Sequence, residues 1–344
     1  MPYKNIVVIG GGAIGGITAA LLTKKGENVV VLDADREHVK MMNKGLEVSG
    51  FTELTIPVKS LTPDQFTGKD YTGWADIVLL AVKGLHTEKA LTSILPYISK
   101  TAPVVSLQNG INEETIAKIV GVERTIACSI TWGGTNQGPG QLIQTTEGGF
   151  IIGQWPTGRS KTAEDVVDLL SKAFPTEIAD NIIGDRWTKL LITVSLTGVG
   201  TIAGLTYGGV IDNEAARKVA LTVITETYDV GIAAGVNFAE LMGVSPSIVL
   251  VRNKADFDNA SKLLDFAFAK HRPTKPSMWQ DIEKGRKTEV DFVNGYVVRK
   301  GKEVGMKTPA NEMVTRIIKE IEEGTRKPDP ANLKEFTGII EYIK

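Results

Sequence analysis

The chain has 344 residues, 42% of them hydrophobic, which exceeds the roughly 250–300 residues that one core serves, so two domains are expected. Its 39 basic and 40 acidic residues leave a formal net charge of -1, which gives no electrostatic reason to expect nucleic acid or a membrane surface as partner. A single cysteine, Cys128, makes an intramolecular disulfide impossible, suits a reducing cytoplasm and reads as a small buried strand residue. The three histidines, His38, His86 and His271, lack ligand spacing, so no metal site is expected.

The first half alternates short β-branched runs with amphipathic stretches. Asn5–Gly10 reads as a strand and Ile14–Lys25 as a helix. Asn28–Asp33 is a strand, with a helix from about Arg36. Asp76–Val82 is a strand, His86–Leu95 a helix and Val104–Gln108 a further strand. Apolar strands alternating with helices predict a parallel sheet covered on both faces. After Thr125 the pattern changes to strands at Ile126–Trp132, Gln141–Thr145 and Phe150–Gln154, separated by Gly/Pro turns and expected to extend the same sheet.

From about Asp185 the chain reads as helical, with helices at Trp187–Val199, Glu214–Ala234, Ser261–Ala269, Val290–Val304 and Ala310–Glu323. The boundary is placed near Gly184: a dinucleotide-binding domain over 1–184, a helical substrate domain over 185–325 and a tail over 326–344. The tail holds Pro328 and Pro330 and a short apolar helix over Leu333–Ile343, read either as a docking arm in a homodimer or as a loosely packed terminus. The uncharged run Leu190–Ile211 is long enough to cross a bilayer at about 20 residues. It nevertheless carries Thr193, Ser195, Thr197, Thr201 and several glycines, and reads better as a buried helix lining a cavity. Asn5–Thr23 resembles a signal peptide only until its glycines are explained.

Those glycines form Gly10-Gly-Gly12-Ala-Ile-Gly15, a G-x-G-x-x-G between a strand and a helix start. Gly10, Gly12 and Gly15 permit a tight turn and close approach of a pyrophosphate, and free N–H groups at Ala13 and Ile14 receive its charge. Gly16 adds close helix–sheet packing. Asp33, at the end of the second strand, is placed to accept both ribose hydroxyls of NAD and to repel a 2′-phosphate. NAD is therefore the expected cofactor, with NADP left open through Arg36 or Lys83.

Four further segments stand together: Val82-Lys83; Ser106-Leu-Gln-Asn109-Gly110; Asp185-Arg-Trp-Thr-Lys189; and Pro276-Ser277-Met-Trp-Gln-Asp281 followed by Gly285-Arg-Lys-Thr-Glu289-Val-Asp291-Phe-Val-Asn294-Gly295. Carrying these in this order, the chain resembles the ketopantoate reductase family from Gly10 to about Glu323. The resemblance implies a Rossmann-type doubly wound α/β domain joined to an all-α domain, as in 6-phosphogluconate dehydrogenase-like folds. It implies reduction of a small 2-oxo acid by a nicotinamide cofactor. Lys189 is then the catalytic lysine that protonates the carbonyl oxygen, and Glu289 its acidic partner. Ser277 holds the substrate carboxylate end, Asp281 orients the lysine or serine, Asn109 sits near nicotinamide and substrate, and Lys83 flanks the adenosine half.

The chemistry agrees, since hydride addition builds negative charge on oxygen and a lysine beside it can stabilise that charge and supply the proton. Plain alternatives exist: Lys189 as a surface residue in a helix's first turn, Ser277 as a helix N-cap, Glu289 and Asp281 as a solvated helix start. Two departures follow, the first bearing on the substrate and the second on the cofactor. Thr193 and Thr197 stand where the family presents asparagines, on the lysine's face of the helix, and the family's NADP-favouring arginine falls at Ala34. The stretch from Val236 to Thr274 is unusually long and reads as a lid or a surface helix. Trp132 and Trp279 read as core or as pocket lining. Reduction of 2-oxopantoate, oxidoreduction of another 2-hydroxy acid, and a non-catalytic nicotinamide-binding regulator are the competing functions. An opine-type dehydrogenase is disfavoured, because no histidine stands where its base would be.

Overall fold

The structure is a computed structural model that describes residues 3–67, 71–241 and 243–340. The chain divides into two compact units, Met1–Ile183 and Gly184–Lys344.

The first unit runs β1 (Asn5–Ile9), α1 (Ala13–Lys24), β2 (Asn28–Leu32), α2 (Arg36–Gly45), β3 (Leu46–Gly50), β4 (Leu54–Ile56), β5 (Ser60–Leu61), α3 (Pro63–Phe66), β6 (Ile77–Leu80), α4 (Thr87–Ile94), β7 (Val104–Ser106), α5 (Glu113–Val120), β8 (Thr125–Ile130), β9 (Gly134–Gly138), β10 (Gln141–Gln144), β11 (Phe150–Gln154), α6 (Lys161–Leu170) and β12 (Thr176–Ile178). The main sheet is ordered β12-β11-β8-β7-β6-β1-β2-β5. From β5 to β8 the strands are parallel, in the order of a doubly wound dinucleotide fold. β11 then joins antiparallel to β8, and β12 parallel to β11.

Strand periodicity explains the two-sided core. In β1, Ile6 and Val8 face one apolar cluster with Ile17, Leu22, Val166 and Leu170 of α1 and α6. Val7 and Ile9 face the other, with Phe66, Leu91, Ile94 and Ile116 of α3, α4 and α5. Cys128 is fully buried in β8. Trp132 belongs to the core, stacked on Phe174 with ring centroids 4.5 Å apart.

One expectation fails here. Gln141–Gln144 does not extend the main sheet. It is the third strand of a separate four-stranded sheet, β4-β3-β10-β9. β10 pairs parallel to β3 and antiparallel to β9. This second sheet covers α1: a Cβ on Gly16 would lie 2.5 Å from Leu142 Cδ1. The close packing at Gly16 is thus against Leu142 of the second sheet.

The second unit contains all but the first two residues of α7 (Ile182–Ile192), a π-helical turn (Thr193–Thr197), α8 (Gly198–Ala203), α9 (Tyr207–Asp212), α10 (Glu214–Ala233), α11 (Lys254–Ala267), α12 (Ser277–Glu283), a 3-10 turn (Val290–Phe292), α13 (Asn294–Glu303) and α14 (Pro309–Glu322). The expected helix Trp187–Val199 begins earlier, at Ile182, and gives way to the π turn. Val290–Val304 is interrupted at Val293, whose backbone is non-helical. The uncharged run Leu190–Ile211 is broken into the end of α7, the π turn, α8 and α9. Among the described residues no helix is long and apolar enough to cross a membrane.

α10 is the buried centre of this unit. The long stretch after Val236 is seated on it: Phe257 and Ala260 of α11 cluster with Leu221 and Ile224. In the tail, the expected apolar helix is a 3-10 turn, Pro330–Phe336, and residues 341–344 lie outside the described residues. The tail is not loosely packed, since Leu333 and Phe336 are buried and Asn332 Nδ2 donates to the Ile202 carbonyl.

Candidate active site

The register of the first unit gathers the nucleotide residues. Ile9 pairs with Leu32 and Leu80, and Leu80 with Ser106, so β1, β2, β6 and β7 end side by side. The residues just beyond these strands therefore converge: Gly10, Asp33, Val82 with Lys83, and Gln108 with Asn109. Gly10 has φ +102, and a Cβ there would lie 2.9 Å from the backbone of Ala81 and Val82. A Cβ on Gly15 would meet the Gly10 carbonyl oxygen at 2.0 Å, so only glycine lets α1 start against the loop. A Cβ on Gly12, by contrast, would meet nothing. Gly12 caps α1 without a side-chain hydrogen bond. Open space above a helix start that no side chain caps is what a pyrophosphate requires, so these residues fit a dinucleotide.

Asp33 is half-buried. Its Oδ2 accepts the Gly11 N–H at 2.7 Å and its Oδ1 accepts the Asp35 N–H at 2.9 Å. Ala34 is exposed. Arg36 is a solvated first-turn residue paired with Asp64 at 3.3 Å. Lys83 is half-buried, just after β6. The burial of His86, with Lys83 and Lys89 nearby, pushes its imidazole below the usual histidine range. The turn bearing Asn109 is built by amides. Gln108 Nε2 donates to the Val82 carbonyl at 2.7 Å and to Thr87 Oγ1 at 2.8 Å, and Asn112 Nδ2 donates to the Asn109 carbonyl at 2.8 Å.

Two anchors of this loop cluster carry no signal of that role in the sequence. Gln108 is one. The other is His38, which is buried: its Nδ1 accepts the Gly140 N–H at 2.9 Å, so Nε2 carries the proton and donates to the Gly11 carbonyl at 2.7 Å. His38 thus ties the glycine loop to the second sheet.

In the second unit Lys189 lies in the last turn of α7, not the first, and is half-buried. Thr193 Oγ1 donates to the Lys189 carbonyl at 3.2 Å. Thr197 is buried, and its hydroxyl shares a 2.8 Å hydrogen bond with Tyr207 OH. Burial raises the Tyr207 phenol above its ordinary value, against the pull of Thr197. The π turn bears on the shared face: four α-helical residues overshoot a full turn and four residues of the wider turn fall short of one, so the two drifts offset each other and Thr197 stays close to the face of Lys189. Tyr207 gave no sequence signal, because only the fold places it on Thr197.

Ser277 is exposed at the first position of α12. It is not the N-cap, a place held by Pro276. Asp281 and Glu289 are 7% and 8% exposed, which corrects the solvated helix start that was the plain alternative. α12 packs against the π turn and α8. Trp279 is half-buried under Lys275, whose Nζ stands 4.3 Å from the ring centroid.

Residues 6–157 match the family described as Ketopantoate reductase PanE/ApbA, and residues 181–322 match its C-terminal counterpart, Ketopantoate reductase PanE/ApbA C terminal. The 2-dehydropantoate 2-reductase of Pyrococcus horikoshii is 31% identical over 318 residues, covering 92% of this chain and 96% of that enzyme. The chain belongs to the ketopantoate reductase family. Like that family, it is an oxidoreductase of the 2-dehydropantoate 2-reductase kind, acting on a CH–OH group with a nicotinamide cofactor. Its fold is also that of solved ketopantoate reductases. A structure from Ralstonia eutropha JMP134 has a TM-score of 0.77 at 24% identity, over 93% of this chain and 99% of that one. A ternary structure of D-mandelate dehydrogenase with NADH and anilino(oxo)acetate has a TM-score of 0.80 at 24% identity, with the same coverage.

Proposed function

We propose that this member of the ketopantoate reductase family reduces a small 2-oxo acid to the 2-hydroxy acid with NADH, using Lys189 as proton donor and Glu289 as its acidic partner. The observation that carries the reading is Lys189 itself: a half-buried lysine on a long uncharged helical run, in a unit that also buries the carboxylates of Asp281 and Glu289. NADH supplies the hydride when bound. Gly10, Gly12 and Gly15, with the backbone of Ala13 and Ile14, hold its pyrophosphate. Asp33 takes the adenosine ribose, and Lys83 and Asn109 flank the two ends.

The chain's own groups then handle charge and proton. Lys189 stabilises the oxygen as it becomes an alkoxide and transfers a proton to it, and Glu289 keeps the lysine charged until that moment. Ser277 and Asn109 orient the acid, and Asp281 supports them. Thr193 commits its only donor to the Lys189 carbonyl, and Thr197 and Tyr207 share one hydrogen bond between two hydroxyls. Few donors remain for a hydroxylated substrate tail. This favours a 2-oxo acid with an apolar tail over 2-oxopantoate. The proposed setting is a cytoplasmic homodimer, consistent with the one buried cysteine and checked by light scattering.

The test is a panel of 2-oxo acids, 2-oxopantoate among them, offered with NADH and with NADPH. Lys189→Ala should cut turnover by roughly 100-fold while leaving NADH affinity nearly intact. Equal turnover in that variant removes the mechanism.

A further inference from the structure

The π turn at Thr193–Thr197 directly follows the helix that carries Lys189. In a regular α-helix the Gly198 N–H would bond the Val194 carbonyl. Here the N–H groups that close the turn, at Gly198 and just beyond it, go to the carbonyls of Thr193 and Ser195 and pass over Val194. A side chain reaches that carbonyl: Asn294 Nδ2, at 3.1 Å. Its second N–H goes to Asn311 Oδ1 at 3.0 Å. Asn311 Nδ2 in turn donates to Glu226 Oε2 at 3.0 Å, and the Glu226 carboxylate also accepts the N–H groups of Ala310 and Asn311 at the start of α14. Asn294 and Asn311 are fully buried.

The orientation of the Asn294 amide is forced, because a carbonyl needs a donor and only the NH2 end can serve Val194. Its Oδ1 is buried and meets no donor among the described residues. An unmet buried acceptor opposes folding, so the amide is retained there for its two donors. Gly198 makes room for it: a Cβ at that position would lie 2.8 Å from Asn294 Oδ1 and 3.3 Å from Nδ2.

We propose that Asn294 is a positioning residue for the reductase reaction: its amide holds the wide turn that sets the angle between Lys189 and Thr197, and Gly198 is the space it needs. This rests on Lys189 being the proton donor. π turns are rare, and many occur at functional sites. A helix that needs its proton donor and its substrate wall on one face, two turns apart, gains that alignment by such a turn, and the turn persists only if the surroundings hold it.

The experiment uses the full-length protein with NADH and the best 2-oxo acid from the panel. Asn294→Leu keeps the volume and removes both donors. Gly198→Ala keeps every polar group and crowds the amide off Val194, so it decides the matter if the first variant folds poorly. Melting curves establish folding, and kcat and KM are measured separately for NADH and for the acid. The expected result is a folded Gly198→Ala protein with kcat lowered roughly 10-fold and KM for NADH unchanged. Unchanged kcat in folded Gly198→Ala, with Lys189→Ala inactive, overturns this inference alone. Unchanged kcat in Lys189→Ala overturns it together with the proposed function.

Discussion

The Asp33 carboxylate accepts the Gly11 N–H at 2.7 Å, so the residue expected to read the adenosine ribose is also a strut of the glycine loop. The two roles make a double prediction. Asp33→Asn keeps one acceptor oxygen but turns a donor toward either Gly11 or Asp35, so NADH binding should weaken even before selectivity changes. The same change removes the repulsion of a 2′-phosphate, and adding Ala34→Arg places a cation at an exposed neighbouring position. The ratio of kcat/KM for NADPH over NADH should rise by roughly 10-fold or more in the double variant. An unmoved ratio would mean that the ribose is read elsewhere.

The first unit was legible wherever one strand and its next helix carry the information. Asn5–Ile9, the Gly10–Gly15 turn, α1 and Asp33 are local patterns of period 2, period 3.6 and special backbone geometry, and they fall as read. β10 was misplaced because its partner, β3, is remote in sequence, and alternation of side chains does not name the neighbouring strand. α5 and α6 do not stand out in the sequence, although Ser160 and several acidic residues mark their starts, because the Gly/Pro turns around them dominate the local pattern. The π turn is invisible in Leu190–Val199 for another reason. An uncharged run that is buried on nearly every side has no periodicity to show a change of pitch, and its determinant, Asn294, lies far along the chain. Lys189, Asp281 and Glu289 stand out only through the family resemblance, and the fold adds their partial or near-complete burial.

His38 shows what long-range structure adds, and it is testable. Its two ring nitrogens satisfy Gly11 and Gly140, residues on different layers of the first unit. His38→Ala leaves a buried N–H and a buried carbonyl without partners, which should cost about 2–3 kcal/mol of stability. His38→Gln can restore one of the two bonds and should recover part of that loss. Because the glycine loop is released at Gly11, NADH affinity should fall in both variants, measured by fluorescence titration below their melting temperatures. Normal NADH affinity in a destabilised His38→Ala protein would limit His38 to a folding role.

Glu226 gives the stability of the second unit a pH dependence of defined sign. Burial raises its carboxyl above the ordinary value of 4.5, and the hydrogen bonds from Ala310 and Asn311 only partly oppose this. A carboxyl with a raised folded-state value takes up its proton more readily in the folded chain than in the unfolded one. Above the raised value the buried charge weakens folding, and the penalty is relieved as pH falls from there toward the unfolded value. Glu335 works in the opposite sense at lower pH: its bonds from Arg326 and Arg316 depress it, so its contribution is lost only as pH falls through that depressed value. Urea unfolding of wild type and Glu226→Gln at pH 5 and at pH 7.5 separates the two groups. Wild type should gain on the variant at the lower pH. If the difference between them is the same at both, the charge on Glu226 is not what burial penalises, and the carboxylate is paired more completely than these hydrogen bonds account for.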